Sequence, residues 1–202
     1  MMMKLSTIFC LIILISCNSR KSGQVTVSKD SPDTRIDTPP PTTPPLHQIV
    51  SKETEQVNQL LAEQSGGTLA VLTDESAAWK KDDFDYFIAP KRKDNPDYPY
   101  LTKGDFNGDG QADMAALVKT KGKAEYQLAI LLGQPLSQDR IIYWKDDIEV
   151  CAISTYPKGE LAGLDQPSFK LKSDAINVEY FERATLVIYW DGKAFRKTHT
   201  GD

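Results

Sequence analysis

Between Thr38 and Pro45 the chain reads TPPPTTPP, and this run limits which residues can share a core. Proline fixes φ, removes a backbone donor, and is excluded from helix interiors and central strands. The residues leading up to it, from Asn18 onward, are mostly polar. Such a stretch cannot bury enough apolar surface to offset the entropy lost on ordering. Its natural conformation is polyproline II, rising about 3.1 Å per residue. A disordered spacer is expected over residues 17–46. The packing residues then lie beyond it, in one domain over 47–202 that is large enough for a real core.

The stretch ahead of the spacer carries targeting chemistry. Met1–Lys4 is a short positive segment, and Leu5–Ile15 is a largely apolar run. As a helix that run rises about 16 Å, well short of a hydrocarbon core of roughly 30 Å. It suits the apolar region of a signal peptide over 1–16, not a membrane span. The run closes in Leu14-Ile15-Ser16-Cys17, which resembles the lipobox of bacterial lipoproteins. The resemblance implies cleavage before Cys17, a diacylglycerol thioether on its sulfur, and an acyl chain such as palmitate on the freed amine. The membrane is then a partner through that anchor. The expected location is the exported side of the cell envelope, periplasmic or at the surface.

Cysteine usage follows the same logic. Cys10 leaves with the signal and Cys17 is acylated, so Cys151 has no partner for an intramolecular disulfide. Its neighbours, Ile148 to Ile153, are strand-like and apolar, which suits a buried, inert thiol. The formal net charge is −4 and no basic stripe stands out, so nucleic acid is not an expected partner.

Within the domain, Ser51 can cap a helix with Glu53 and Glu55 in its first turn. Val57, Leu60 and Leu61 recur at helical spacing, and Gly66-Gly67 ends the run. From Thr68 onward strand patterns dominate. They cover Thr68–Leu72, loosely the aromatic-rich Trp79–Ala89, then Ala112–Val118 and Glu125–Leu132. Arg140–Trp144 and Ile148–Ile153 look like a strand pair across Lys145-Asp146-Asp147. Ile176–Tyr180 alternates cleanly. Leu186–Trp190 is continuously apolar and leads through Asp191-Gly192, a hairpin signal, into a last strand. The expected fold class is α+β, mainly antiparallel sheet with one N-terminal amphipathic helix packed on it.

One motif carries chemistry. Residues 104–113 read GDFNGDGQAD, and from Asp105 they fit D-x-N-x-D-G-x-x-D. Alternate side chains in a tight loop converge, and Gly110 permits the sharp turn. Asp105, Asn107, Asp109, the Gln111 carbonyl and Asp113 then offer five oxygen donors. An all-oxygen set without His or Cys suits Ca²⁺. The segment resembles the calcium loops of FG-GAP and VCBS repeats, and single-copy GDFNGDG loops in uncharacterised secreted proteins. It departs from an EF-hand, because Ala116 stands where the bidentate glutamate belongs. With one copy in the chain, a multi-bladed propeller is excluded. The cation expected here is structural, a staple between strands.

No catalytic residue is nominated. His47 stands at the junction of spacer and domain and His199 near the C-terminus, and no nucleophile elbow, Walker loop or zinc-protease motif is present. Asp82, Asp83 and Asp85 beside Trp79, Phe84, Tyr86 and Phe87 are the one candidate for a sugar cleft with paired carboxylates. Two functions follow. One is an envelope lipoprotein whose calcium-stabilised domain binds an envelope protein or glycan, or supports an assembly. The other is a hydrolase acting on cell-wall or extracellular polymer through acidic residues.

Overall fold

Ser51 opens the first helix because its backbone is extended (φ −75°, ψ 162°) and its hydroxyl accepts the Thr54 amide at 3.0 Å. That satisfies one of the amides a helix start leaves bare. Helix α1, Lys52–Ser65, carries Glu53 and Glu55 in its first turn and ends at Gly66, whose φ of 62° is left-handed. Val57 and Leu61, one turn apart on the same face, are fully buried. Asn58 Oδ1 accepts the Val71 amide at 2.9 Å, tying the helix to the first strand. These features belong to a computed structural model that describes residues 50–161, 169–183 and 185–200. The signal segment, Cys17 and the spacer expected over 17–46 lie outside the described residues.

Strand β3, Asp113–Thr120, organises the first sheet. One of its sides is shared by two short strands: β1, Leu69–Val71, pairs with Val118–Thr120, and β2, Leu101–Gly104, pairs with Asp113–Ala116. Its other side pairs with β4, Tyr126–Leu131, which pairs in turn with β5, Ile141–Trp144. The second sheet runs β6, Ala152–Tyr156, then β9, Ala175–Glu179, then β10, Leu186–Trp190, then β11, Phe195–His199. Between β6 and β9 in sequence, β7, Glu160–Leu161, and β8, Phe169–Lys170, form a small ladder of their own. All these pairings are antiparallel, and with the helices the fold is α+β.

Every residue from Asp113 to Val118 and from Gln127 to Leu131 is buried. Both faces of the first sheet are therefore covered, which removes the apolar–polar alternation of a one-faced sheet. The main core joins Leu117, Leu128 and Ile130 of the first sheet to Ile153, Ile176, Val178 and Ile188 of the second. Val57 and Leu61 of α1 belong to the same cluster. Burying each such side chain contributes about 1.5–3 kcal/mol before entropy is counted. Hydrogen bonds add to this contact: the Ile153 amide donates to the carbonyl of Pro99, just ahead of β2, at 2.9 Å, and the Thr155 hydroxyl donates to the Lys103 carbonyl of β2 at 2.6 Å.

Two sequence expectations are corrected. The aromatic stretch 79–89 is helical from Lys81 onward: α3, Lys81–Asp83, a π-helical turn over Phe84–Ile88, and α4, Ala89–Lys91. It follows α2, Asp74–Ala77, which is closed by a capping box between Thr73 and Ser76. In 81–91 Ile88 is buried and Phe84 half-buried while Asp82, Asp85 and Tyr86 face out, a helical period that the density of aromatics hides. Second, the strands expected around 140–144 and 148–153 do not pair with each other. β5 joins β4, whereas β6 begins at Ala152 and joins β9. Asp147 takes a left-handed φ of 57°, and residues 145–151 carry the chain from one sheet to the other.

The helix contribution is directly measurable. Leu61→Ala is expected to lower unfolding stability by about 2–5 kcal/mol in a urea titration. Gln59→Ala, on the exposed face, should stay within about 0.5 kcal/mol of the parent.

Candidate functional site

The loop between β2 and β3 is built from side chains folding back on their own backbone. Asp105 Oδ1 accepts the Gly108 amide at 2.8 Å and its Oδ2 the Gly110 amide at 3.0 Å. Asn107 Oδ1 accepts the Asp109 amide at 3.0 Å, and Asp109 Oδ1 accepts the Gln111 amide at 2.8 Å. These are overlapping Asx turns, the structure short acidic and amide side chains favour in Gly-rich loops. Gly108 (φ 76°) and Gly110 (φ 82°) take the left-handed conformations the path requires. Asn107 Nδ2 also donates to Asp109 Oδ2 at 3.0 Å. Asp105, Asn107 and Asp109 are thus brought together.

Asp113 stands differently. It is fully buried. Its Oδ2 accepts the amides of Phe106 at 2.8 Å and Asn107 at 3.2 Å, and its Oδ1 accepts the Gly133 amide at 2.6 Å. Burial pushes its carboxyl above the ordinary aspartate value, the three amides pull it back, and Asp109 nearby adds repulsion. Asp109 is fully exposed and moves the other way, lowered by the Gln111 amide and then by the Asn107 side chain. Gln111 is exposed, and its Oε1 accepts the Gln134 amide at 3.4 Å.

The loop is locked to the second sheet as well. Asp174, just before β9, accepts the Asp105 amide on Oδ2 at 3.1 Å, and its own amide donates to the Asp105 carbonyl at 3.0 Å. Ser173 Oγ donates to the Phe106 carbonyl at 3.3 Å, and the Phe106 ring is fully buried. A Cβ on Gly104 would come within 2.7 Å of the Phe106 ring and 3.1 Å of Asp174, so only glycine allows this approach. As a cation site the donors fit in kind: all are oxygens, and each carboxylate has lone pairs beyond those its amides use. In arrangement, no three acidic, His or Cys side chains gather as a metal cluster among the described residues.

Two polar networks that sequence patterns do not reveal hold segment 81–91. The buried Arg92 guanidinium grips Asp74 with both nitrogens, at 2.7 and 2.5 Å, and its Nε donates to the Tyr98 carbonyl at 2.7 Å. Tyr100 donates to Asp74 at 2.9 Å and accepts from Trp79 Nε1 at 2.6 Å. Glu179 receives Lys91 Nζ at 2.5 Å, Tyr98 at 3.1 Å, Ser154 at 2.7 Å and Asn177 Nδ2 at 3.1 Å. Burial acts to raise the Glu179 pKa, but the hydrogen bonds from Lys91 and Ser154 outweigh it and hold it below the usual 4.5. Burial pushes the Tyr98 and Tyr100 phenols and the Cys151 thiol far up, so none supplies a ready anion. Of the acids nominated for a sugar cleft, Asp82 is exposed, Asp85 pairs with Lys81 and borders a cavity of about 380 Å³, and Asp83 borders a different one, of about 250 Å³.

Comparison with protein-family models, curated proteins and solved structures gives no match.

The geometry separates two roles within one motif. Asp113→Asn is expected to destabilise the domain by about 1–3 kcal/mol with or without calcium, because a buried amide cannot answer all three backbone donors. Asp109→Asn, on the exposed rim, should change calcium-free stability by no more than about 0.5 kcal/mol. Chemical denaturation in chelator and in excess calcium checks both. Because Glu179 is depressed in the folded state, its stabilisation is complete above 4.5 and is lost as pH falls through the folded value. Glu179→Gln should therefore flatten the acid limb of a stability–pH profile.

Proposed function

We propose that this chain is an envelope lipoprotein, anchored through Cys17, whose domain is a calcium-stapled binding module with α1 as an amphipathic cover on its sheet. The observation that carries the calcium part is the position of the loop. Asp105, Asn107 and Asp109 crowd the turn between β2 and β3, and the same turn is bonded to Asp174 and to Gly133. A divalent ion held by the Asp105, Asn107 and Asp109 oxygens, the Gln111 carbonyl and Asp113 would offset the negative charge of the loop. It clasps the joint between the sheets at the same time. The ion supplies charge and no chemistry. The arrangement of the remaining acids supports a non-enzymatic reading, since Asp74 and Glu179 are committed to Arg92 and Lys91.

Calorimetry of the chain with added calcium tests the staple. Free calcium at a hundredfold its dissociation constant adds about 2.7 kcal/mol, visible as a raised Tm, and chelator reverses it. The increment should vanish in Asp105→Asn/Asp109→Asn. An unchanged melting curve with calcium and with chelator sinks the metal assignment. The anchor has its own test: labelled palmitate should enter the parent chain and not Cys17→Ser, and the variant should move from the membrane to the soluble fraction. The second reading, a hydrolase on cell-wall or extracellular polymer, draws on the carboxylates of Asp83, Glu149 and Glu182 around one cavity. Release of soluble fragments from peptidoglycan or a polysaccharide, lost in Glu149→Gln, would favour it.

A further inference from the structure

Two cavities open side by side on the domain. One, of about 590 Å³, is walled by Tyr126, Gln127, Lys145 and Glu149. The other, of about 250 Å³, is walled by Trp79, Asp83, Tyr180, Phe181 and Arg183. Glu149 and Val150 belong to both walls, so the two are neighbours along one trough. The larger lies within the usual range of about 300–1,000 Å³ for small-ligand sites.

We propose that this trough binds an uncharged oligosaccharide, with aromatic faces taking the C–H face of a sugar ring and charged side chains taking its hydroxyls. The inference rests on the binding-module reading and names the ligand class of that module. Three observations carry it. First, aromatic surface is concentrated here: Phe87 stacks on Phe181 with centroids 4.7 Å apart and planes 13° apart. Trp79, Tyr180 and Phe181 line the smaller cavity and Tyr126 the larger. Aromatic rings in the wall of a cavity are a common feature of ligand sites.

Second, charges of both signs interleave in the walls. Arg183 Nη1 lies 3.7 Å from Glu149 Oε2, and both side chains are more than 70% exposed, at 72% and 73%. So loose a surface pair contributes little to stability, and its forked donors and acceptors are free to meet vicinal hydroxyls. Asp83, Glu149 and Glu182 oppose a polyanion such as nucleic acid. Third, the platform is rigid before any ligand arrives. Trp79 is pinned by its indole bond to Tyr100, and segment 81–91 by the Arg92–Asp74 fork. Preorganisation lowers the entropy that binding must overcome, and a π-helical turn such as Phe84–Ile88 is a recurrent feature of functional segments.

The test titrates the full chain with β-1,4-linked N-acetylglucosamine hexamer and with cellohexaose, following tryptophan fluorescence and heat. Saturable binding that is insensitive to salt is expected for at least one probe. Glu149→Ala and Arg183→Ala sit on exposed side chains, should leave the melting curve unchanged, and should each weaken binding by about tenfold. The proposal is overturned if neither hexamer gives a saturable signal, if both variants bind like the parent, or if the trough instead takes up an extended peptide in a salt-sensitive way. Calcium stabilisation and Cys17 acylation are measured on the same material, so loss of saccharide binding alone removes this inference and leaves the binding-module reading standing.

Discussion

One buried carboxylate sets the geometry around the middle of this domain. Asp113 accepts amides from Phe106 and Asn107 on one side and from Gly133 on the other, so a single side chain closes the β2–β3 turn and pins the chain leaving β4. A charge in that position is costly to bury unless it is fully hydrogen-bonded, and three backbone dipoles supply the bonding. The loop they shape then presses Phe106 into the core and meets Asp174 before β9. Without that joint the two sheets would share only side-chain contacts and the β2–β6 seam.

Covering both faces of the first sheet has consequences along the chain. β3 and β4 need apolar residues at successive positions, and their side chains share one core cluster with residues of the second sheet. The second sheet keeps a partly polar outer face, where Ser154, Asn177 and Glu179 form a network that holds Lys91. Asn177 Oδ1 is buried there without a partner, the cost of aiming its amide group at Ser154 and Glu179. Segment 81–91 is thereby held at its C-terminal end, by Arg92 on Asp74 and by Lys91 on Glu179. A stretch rich in exposed aromatics becomes a fixed platform.

The GDFNGDG loop shows how far a local pattern reaches. Its turn was legible because Asx turns and left-handed glycines are decided within a few residues. The distinct standing of Asp113 was not, since its burial depends on Gly133, twenty positions away. Arg92 carried no signal at all: a lone arginine in the run Lys91-Arg92-Lys93 reads as solvated surface, and only the fold brings Asp74 to it. Glu149 likewise looks like any exposed acid until the crossing from β5 to β6 places it between two cavities.

The sequence by itself determined the elements whose energetics are local. These are the capped helix 52–65, the alternating strand at 175–179, the apolar central strand at 186–190 and the Asp191-Gly192 hairpin, where the Asp191 side chain answers the Lys193 and Ala194 amides. Tertiary structure alone decided which strands pair, that β5 and β6 part into different sheets, and that the aromatic run at 81–91 coils as a helix. Those outcomes turn on contacts between residues far apart in the chain, where burial and hydrogen-bond satisfaction outweigh propensities of well under 1 kcal/mol per residue.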